Sequence, residues 1–189
     1  MTKILNYIKD NENILEKILI NLKQDGICIL TDYFNYESIV KFNDEFDNIF
    51  TNQKKKIEIL DKEKCSNDER IFHAEKYSNY IRDNFANNNL FNSLFAKYHK
   101  GIKATKKTLI NKLLYEEKKI KNSGAGWHRD NHHCQFKVIM YLTDVSEKNG
   151  NFQWLTNSSA KHIGKPKPRT KNYDTRFEDK IIEDLIKNN

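Results

Sequence analysis

The chain has 189 residues, and 33 Lys and Arg against 26 Asp and Glu give it a net charge of +7. The length suits one domain spanning residues 1–189, and the aromatic content of 12% excludes disorder for most of the chain. With only two prolines and six glycines, collagen-like and Pro/Gly-rich classes are excluded as well.

Membrane and secreted classes are not expected either. The longest apolar run covers residues 138–142, far short of the about 20 residues that a membrane span needs. Charged residues interrupt the first 22 positions, where a signal peptide would need a continuous apolar stretch. The three cysteines, Cys28, Cys65 and Cys134, are widely spaced and form no C-x-x-C pair. We therefore predict a cytoplasmic protein without a membrane partner.

The positive charge invites a nucleic-acid interpretation, which would predict affinity that falls steeply with salt. Its best support comes from two short runs, residues 54–56 and 165–169. Both lack interleaved aromatic residues and have acidic neighbours, as is typical of a solvated surface. We therefore do not expect nucleic-acid binding.

In the first hundred residues, helical spacing of apolar side chains predominates. The pattern predicts one or two helices over residues 4–22 with a break at 10–13, then a short strand at 27–30. Thr31 and Asp32 are the predicted caps of a second helix, whose apolar face includes Ile39, Phe42 and Phe46. Residues 51–70 are highly charged, which predicts a segment on the protein surface. Two more short helices are expected over 77–85 and 90–98.

From Gly101 onward the pattern becomes typical of strands. Strands are predicted at residues 108–115, 135–142 and 152–155, followed by a helix over 177–186. Helices first and strands later indicate an α+β protein, mainly helical over residues 1–100 and rich in strands over 101–189.

His128 and Asp130 form the most informative pair in the sequence. On an extended chain, residues two apart leave the same face and can reach one ion. One imidazole and one carboxylate are two of the three ligands in the facial triad of non-haem Fe(II) oxygenases. The pattern is short, so an ordinary surface His–Asp pair is the alternative.

Three blocks around this pair carry a resemblance: S-G-A-G-W-H-R-D at 123–130, F-K-V-I-M-Y-L-T-D-V at 136–145 and N-G-N-F-Q-W at 149–154. Together they resemble the phytanoyl-CoA dioxygenase family, over roughly residues 108–160. The resemblance implies N-terminal helices packed on a double-stranded β-helix, a jelly-roll or cupin-like core. It also implies Fe(II) and 2-oxoglutarate as cofactors, a small-molecule substrate and oxidative chemistry supplied by the metal and cosubstrate.

The resemblance also implies roles for particular residues. His128 and Asp130 would be the iron ligands and the catalytic centre. Trp127 would line the site. Arg129 would occupy the position between the two ligands, where the side chain of relatives can face the cosubstrate. Lys137 and Tyr141 share one face of the strand at 135–142 and are candidate cofactor contacts. The opposite face, Val138, Met140 and Leu142, could equally face the pocket, and the sequence alone does not decide between them.

The family places a second iron-binding His and a 2-oxoglutarate-clamping Arg well downstream. After His133 the only histidine is His162, and after Arg129 the only arginines are Arg169 and Arg176. His162 follows too soon after the predicted strands, and we expect it to be a loop residue. The barrel is therefore expected to be incomplete at its C-terminal side, through truncation, completion by another chain or loss of activity. Exposed strand edges would then favour self-association.

The leading expectation is an Fe(II)- and 2-oxoglutarate-dependent dioxygenase or hydroxylase. The alternative is a catalytically inactive or fragmentary β-helix domain that acts as a binding module. Metal titration separates the two, because a module without the full triad predicts weak Fe(II) binding.

Overall fold

The structure is a computed structural model, and it describes most of the N-terminal half and shorter stretches of the remainder. The described residues are 4–59, 68–100, 107–113, 126–130, 135–146, 151–155, 158 and 177–187. The helices in these ranges are α1 (Ile14–Gln24), α2 (Tyr36–Asn52), α3 (Asn79–Ile81), α4 (Asn89–Tyr98) and α5 (Asp179–Lys187). The strands are β1 (Ile4–Asn6), β2 (Ile29–Thr31), β3 (Glu58–Ile59), β4 (Asp68–Phe72) and β5 (Leu109–Leu113).

Residues 4–6 form a strand, which corrects the helix predicted there, whereas α1 confirms the helix predicted after the break. β1 pairs in parallel with β2, so that Leu5 lies opposite Leu30. The side chain of Asn6 explains the difference, because its Oδ1 accepts hydrogen bonds from the backbone N–H groups of Ile8 and Lys9 at 3.1 and 3.0 Å. Such local side-chain bonds satisfy donors that a helix would otherwise use.

α2 confirms the predicted helix but begins later than the caps suggested. Asn35 is its N-cap, with Oδ1 accepting from the Ser38 N–H at 2.9 Å. Asp32, the predicted cap, instead has a positive φ of 57° and accepts a hydrogen bond from Asn6 Nδ2. Its carboxylate therefore ties the turn after β2 back to β1.

The main core lies between α2 and an antiparallel sheet with the strand order β3–β4–β5. Phe42 from α2, Ile71 from β4 and Ile110 from β5 are buried in it. The ring of Phe42 makes edge contacts with Tyr80 and Phe34. The predicted helices at 77–85 and 90–98 are confirmed as α3, which continues as a π-helical turn over Arg82–Ala86, and α4.

A second core cluster joins the two N-terminal elements to α4. Leu5, Ile18, Leu19 and Leu94 are buried in it. Phe136 packs against this cluster, and its ring lies 6.0 Å from the ring of Phe95. The N-terminal helices are thus in direct contact with the segment that follows the His–Asp pair.

The predicted strands of the C-terminal half have a mixed outcome. β5 confirms the first, but residues 135–142 and 152–155 belong to neither sheet among the described residues, although exposure alternates along 135–142. Without neighbouring ladders among the described residues, an apolar–polar alternation does not by itself make a strand. α5 confirms the predicted final helix.

The mixture of helices and strands is that of an α+β protein, as predicted. No described helix combines the length and the apolar composition that a bilayer span requires. Cys28 has a free thiol. Cys65 and Cys134 lie outside the described residues, as do His162 and Arg169.

Candidate metal centre

The tautomer of His128 is fixed by the backbone just before it. Gly126 adopts a positive φ of 80°, a conformation that favours glycine. Its carbonyl oxygen lies 2.9 Å from Nδ1 of His128. A carbonyl only accepts hydrogen bonds, so Nδ1 carries the proton and donates it. In the neutral imidazole, the lone pair then lies on Nε2, which is the arrangement usual for metal-binding histidines.

Nε2 of His128 meets the carboxylate of Asp130, as the spacing predicted. The distance from Nε2 to Oδ1 is 3.1 Å, with the two side chains 28% and 49% exposed respectively. Bonds from a metal to imidazole nitrogen and carboxylate oxygen are about 2.0–2.2 Å, so two such donors at right angles lie about 3.0 Å apart. The observed separation fits two adjacent ligands of one ion. It equally fits a proton shared as an ion pair.

Asp130 is held in its charged form. When the His128 ring carries a proton on both nitrogens, its Nε2–H donates to Oδ1, and this hydrogen bond is the strongest influence on Asp130. Together with the ammonium of Lys137, it holds the pKa of the carboxyl well below its usual range. A metal would replace the proton on Nε2. Partial burial of Asp130 raises its pKa, but the hydrogen bonds and the nearby positive charge lower it by more. Lys137 Nζ contacts Oδ2, the oxygen that does not face His128. The carboxylate therefore offers Oδ1 toward the imidazole without first losing a proton, as metal binding requires.

The two faces of residues 135–142 are now distinguishable. Met140 and Leu142 pack against the main core, and the Leu142 carbonyl accepts from Asn43 Nδ2 at 2.9 Å. Lys137 and Tyr141 lie on the exposed face, the one that reaches Asp130. Lys137 and Tyr141 are thus on the solvent-exposed face, and Met140 and Leu142 are on the face that packs against the core.

Among the described residues of that face, Lys137 contacts the His–Asp pair and Tyr141 does not. Tyr141 lies four residues further on, about 13 Å along an extended chain. Its hydroxyl instead accepts a hydrogen bond from the backbone N–H of Phe152 at 2.9 Å. Tyr141 thereby joins the two extended segments of this region.

Trp127 and Arg129 lie on the other side of the turn. The Arg129 guanidinium carbon is 5.5 Å from the ring centroid of Phe177, and Nη2 donates to the Ser158 carbonyl at 3.4 Å. Trp127 packs against the cluster formed by Phe177 and Ile182. His128 and Asp130 thus converge at the candidate site, whereas Trp127 and Arg129 contact Phe177.

Two participants were not found from the sequence. Gly126 was noted only as a glycine before the motif, although a glycine next to a candidate ligand is a signal for a special backbone path. Phe177 was assigned to a helix face, and nothing in its spacing pointed to Arg129. Among the described residues, no third His, Cys, Asp or Glu joins His128 and Asp130 as a potential metal ligand.

A comparison with protein families matches residues 22–185 to phytanoyl-CoA dioxygenase. Searches of curated proteins and of solved structures gave no significant match. The matched range contains the whole candidate site and most of the N-terminal helices. The chain therefore belongs to the phytanoyl-CoA dioxygenase family.

Proposed function

We propose that the protein is an Fe(II)- and 2-oxoglutarate-dependent oxygenase that hydroxylates a small organic or acyl substrate. Its family suggests oxygenase activity of this kind in general. The observation that supports it in this chain is the approach of His128 Nε2 to Asp130 Oδ1 at 3.1 Å. An imidazole and a carboxylate with this separation suit two adjacent positions on Fe(II).

His128 and Asp130 would hold the metal, and the neighbouring groups would prepare them for it. The Gly126 carbonyl keeps the proton on Nδ1, which leaves Nε2 as the donor atom. Lys137 occupies Oδ2 of Asp130 and so favours binding through Oδ1 alone. When bound, iron with 2-oxoglutarate and O₂ would supply the oxidising power needed to break a C–H bond.

Cofactor contacts beyond the metal ligands are also part of the proposal. Lys137 is the cation beside the His–Asp pair, and its ammonium suits a carboxylate of 2-oxoglutarate. Trp127, Arg129 and Tyr141 stay predicted contacts of the cosubstrate. To reach the metal side of the turn, the Arg129 guanidinium would have to leave the ring of Phe177.

We also propose the double-stranded β-helix as the core of the protein. It is supported by the antiparallel sheet β3–β4–β5 and by the alternating exposure along residues 135–142. A cytoplasmic location stays a prediction based on the cysteines. The described residues hold no third ligand beside the pair, so the third iron ligand is to be sought outside them.

Succinate formation from 2-oxoglutarate tests the activity. The purified chain would be incubated with Fe(II), 2-oxoglutarate and ascorbate, with His128→Ala and Asp130→Asn as variants. His99→Ala is a matched control, because His99 contacts Phe95 and Tyr98 rather than the pair. We expect succinate from the wild type and the control, and at least tenfold less from the two site variants.

Two outcomes would contradict the proposal. Succinate that is unaffected by His128→Ala would mean that another site produces it. No succinate from the wild type, together with Fe(II) binding too weak to saturate at millimolar metal, would favour the binding-module alternative.

A further inference from the structure

α5 and Phe177, which lies two residues before its first residue, cover the back of the turn that carries the His–Asp pair. Phe177 is 6% exposed and Ile182 is 2% exposed. Trp127, Leu155 and Leu185 are partly buried against these two side chains. The apolar face of α5 is thus used to hold the turn at residues 126–130.

Phe177 contacts this turn in two ways. Its backbone N–H donates to the Trp127 carbonyl at 2.8 Å. Its ring lies under the Arg129 guanidinium, with 5.5 Å between the guanidinium carbon and the ring centroid, which is within the range of a cation–π contact. The residues on either side of His128 are therefore both fixed by one aromatic residue about 50 positions later in the chain.

We propose that Phe177 is a positioning residue for the metal site, acting through Arg129. With Arg129 stacked on Phe177, the backbone from 127 to 129 is held, and His128 and Asp130 project to the opposite side. The imidazole and the carboxylate then converge before a metal arrives. This inference rests on the proposed function, since it assumes that the pair binds a metal.

The physical basis is pre-organisation. A site that samples the binding geometry only part of the time loses apparent affinity in proportion. A cation–π contact at a partly exposed position corresponds to roughly a two- to fivefold change in such an equilibrium. We therefore expect removal of the ring to weaken metal binding by roughly two- to fivefold.

Binding of Co(II) alone, followed by its visible absorption bands, tests the inference without turnover. Phe177→Leu keeps an apolar side chain but removes the ring, and it should weaken Co(II) binding. Phe177→Tyr keeps the ring and should restore wild-type affinity. Leu185→Ala removes packing from the same cluster without removing the ring, so it should lower the melting temperature and leave the Co(II) affinity at the wild-type value.

Arg129→Gln removes the same cation–π contact by deleting the cation instead of the ring. It keeps the test decisive if a Phe177 variant does not fold. Removing a positive charge beside a cation site would strengthen metal binding through electrostatics alone. The inference predicts the opposite sign, a weaker affinity similar to that of Phe177→Leu. A stronger affinity in Arg129→Gln would overturn it.

The remaining outcomes separate this inference from the proposed function. If the wild type binds Co(II), His128→Ala does not, and Phe177→Leu matches the wild type, the site stands and the positioning role is refuted. Equal losses in Phe177→Leu and Leu185→Ala would also refute it, because packing alone would explain both. If the wild type binds no better than His128→Ala, the proposed function fails and this inference fails with it.

Discussion

The contact between Gly26 and Trp154 provides a sharp test of how the N-terminal half is joined to the motif region. Gly26 has a φ of +75°, and a Cβ added there would lie 2.8 Å from Cζ2 of the Trp154 indole. The indole Nε1–H donates to the Asp25 carbonyl at 2.8 Å. Trp154 therefore lies directly on the turn between α1 and β2, and Gly26→Ala should disturb it in two ways.

The expected destabilisation follows from three contributions. A non-glycine residue in the left-handed region costs about 1–2 kcal/mol. Displacement of the indole weakens its exposed hydrogen bond, which is worth about 0.5–1 kcal/mol. Alanine also lowers the conformational entropy of the unfolded chain, which stabilises the folded state by about 0.4–1 kcal/mol. The net loss is about 1–2 kcal/mol, or a fall of about 2–8 °C in melting temperature for a chain of this size.

A double-mutant cycle separates the two effects. Gly26→Ala would be compared in the wild type and in Trp154→Leu, using urea unfolding followed by far-ultraviolet circular dichroism. In the Trp154→Leu background only the backbone cost remains, so the loss should fall to about 0.5–1 kcal/mol. In a Trp127→Phe background, fluorescence reports on Trp154 alone and should shift when the indole is displaced.

Two results would refute this reasoning. An equal loss in both backgrounds would mean that the indole is not in contact with the turn. A loss below about 0.3 kcal/mol in the wild type would mean that Gly26 does not need its positive φ.

Two further predictions concern a partly buried carboxylate and an exposed strand edge. The side chain of Glu75 is 15% exposed, and its carboxylate accepts a hydrogen bond from the Thr108 N–H at 3.0 Å. Burial raises the pKa of Glu75. Hydrogen bonds from backbone N–H groups and from His73 outweigh burial, so the pKa is lowered overall. Its stabilisation is present above the unfolded pKa of about 4.3 and is lost as the pH falls through the lower folded value. Glu75→Gln should therefore cost about 1 kcal/mol at pH 7, and in urea unfolding this difference should shrink as the pH falls below about 4.3. A difference that does not change with pH would contradict this. Leu113 is 46% exposed on β5, the edge strand of the described sheet. We propose that this edge mediates the self-association expected from the sequence. Leu113→Lys should then reduce concentration-dependent sedimentation, and equal association of both proteins would contradict the proposal.

The helices were predictable because their apolar spacing is strong and local. α2 and α4 bury the faces that the spacing indicates, including Phe42 and Leu94. β1 was missed because two apolar residues near the N-terminus fit either period, and the Asn6 side chain decides between them. The pairing of β1 with β2 is a tertiary contact that local pattern does not contain.

The candidate site was predictable to the extent that spacing determines it. His128 and Asp130 are two apart, and their convergence follows from the alternation of an extended chain. The choice of face for Lys137 did not follow, because both faces of that segment carry large apolar side chains and packing against α2 decides the matter. The role of Phe177 could not be predicted either, because its contact with Arg129 joins distant parts of the sequence.

The acceptor that orients His128 has a consequence for how the protein tolerates mutation. Because the acceptor is the main-chain oxygen of Gly126, no side-chain replacement can delete it. Only a change in the backbone conformation can remove this acceptor. Because Gly126 has a positive φ, which other residues rarely adopt, substitution of Gly126 is the change that alters the backbone most easily. Substitutions at position 126 should therefore affect the ring orientation of His128 more than their size or polarity would suggest.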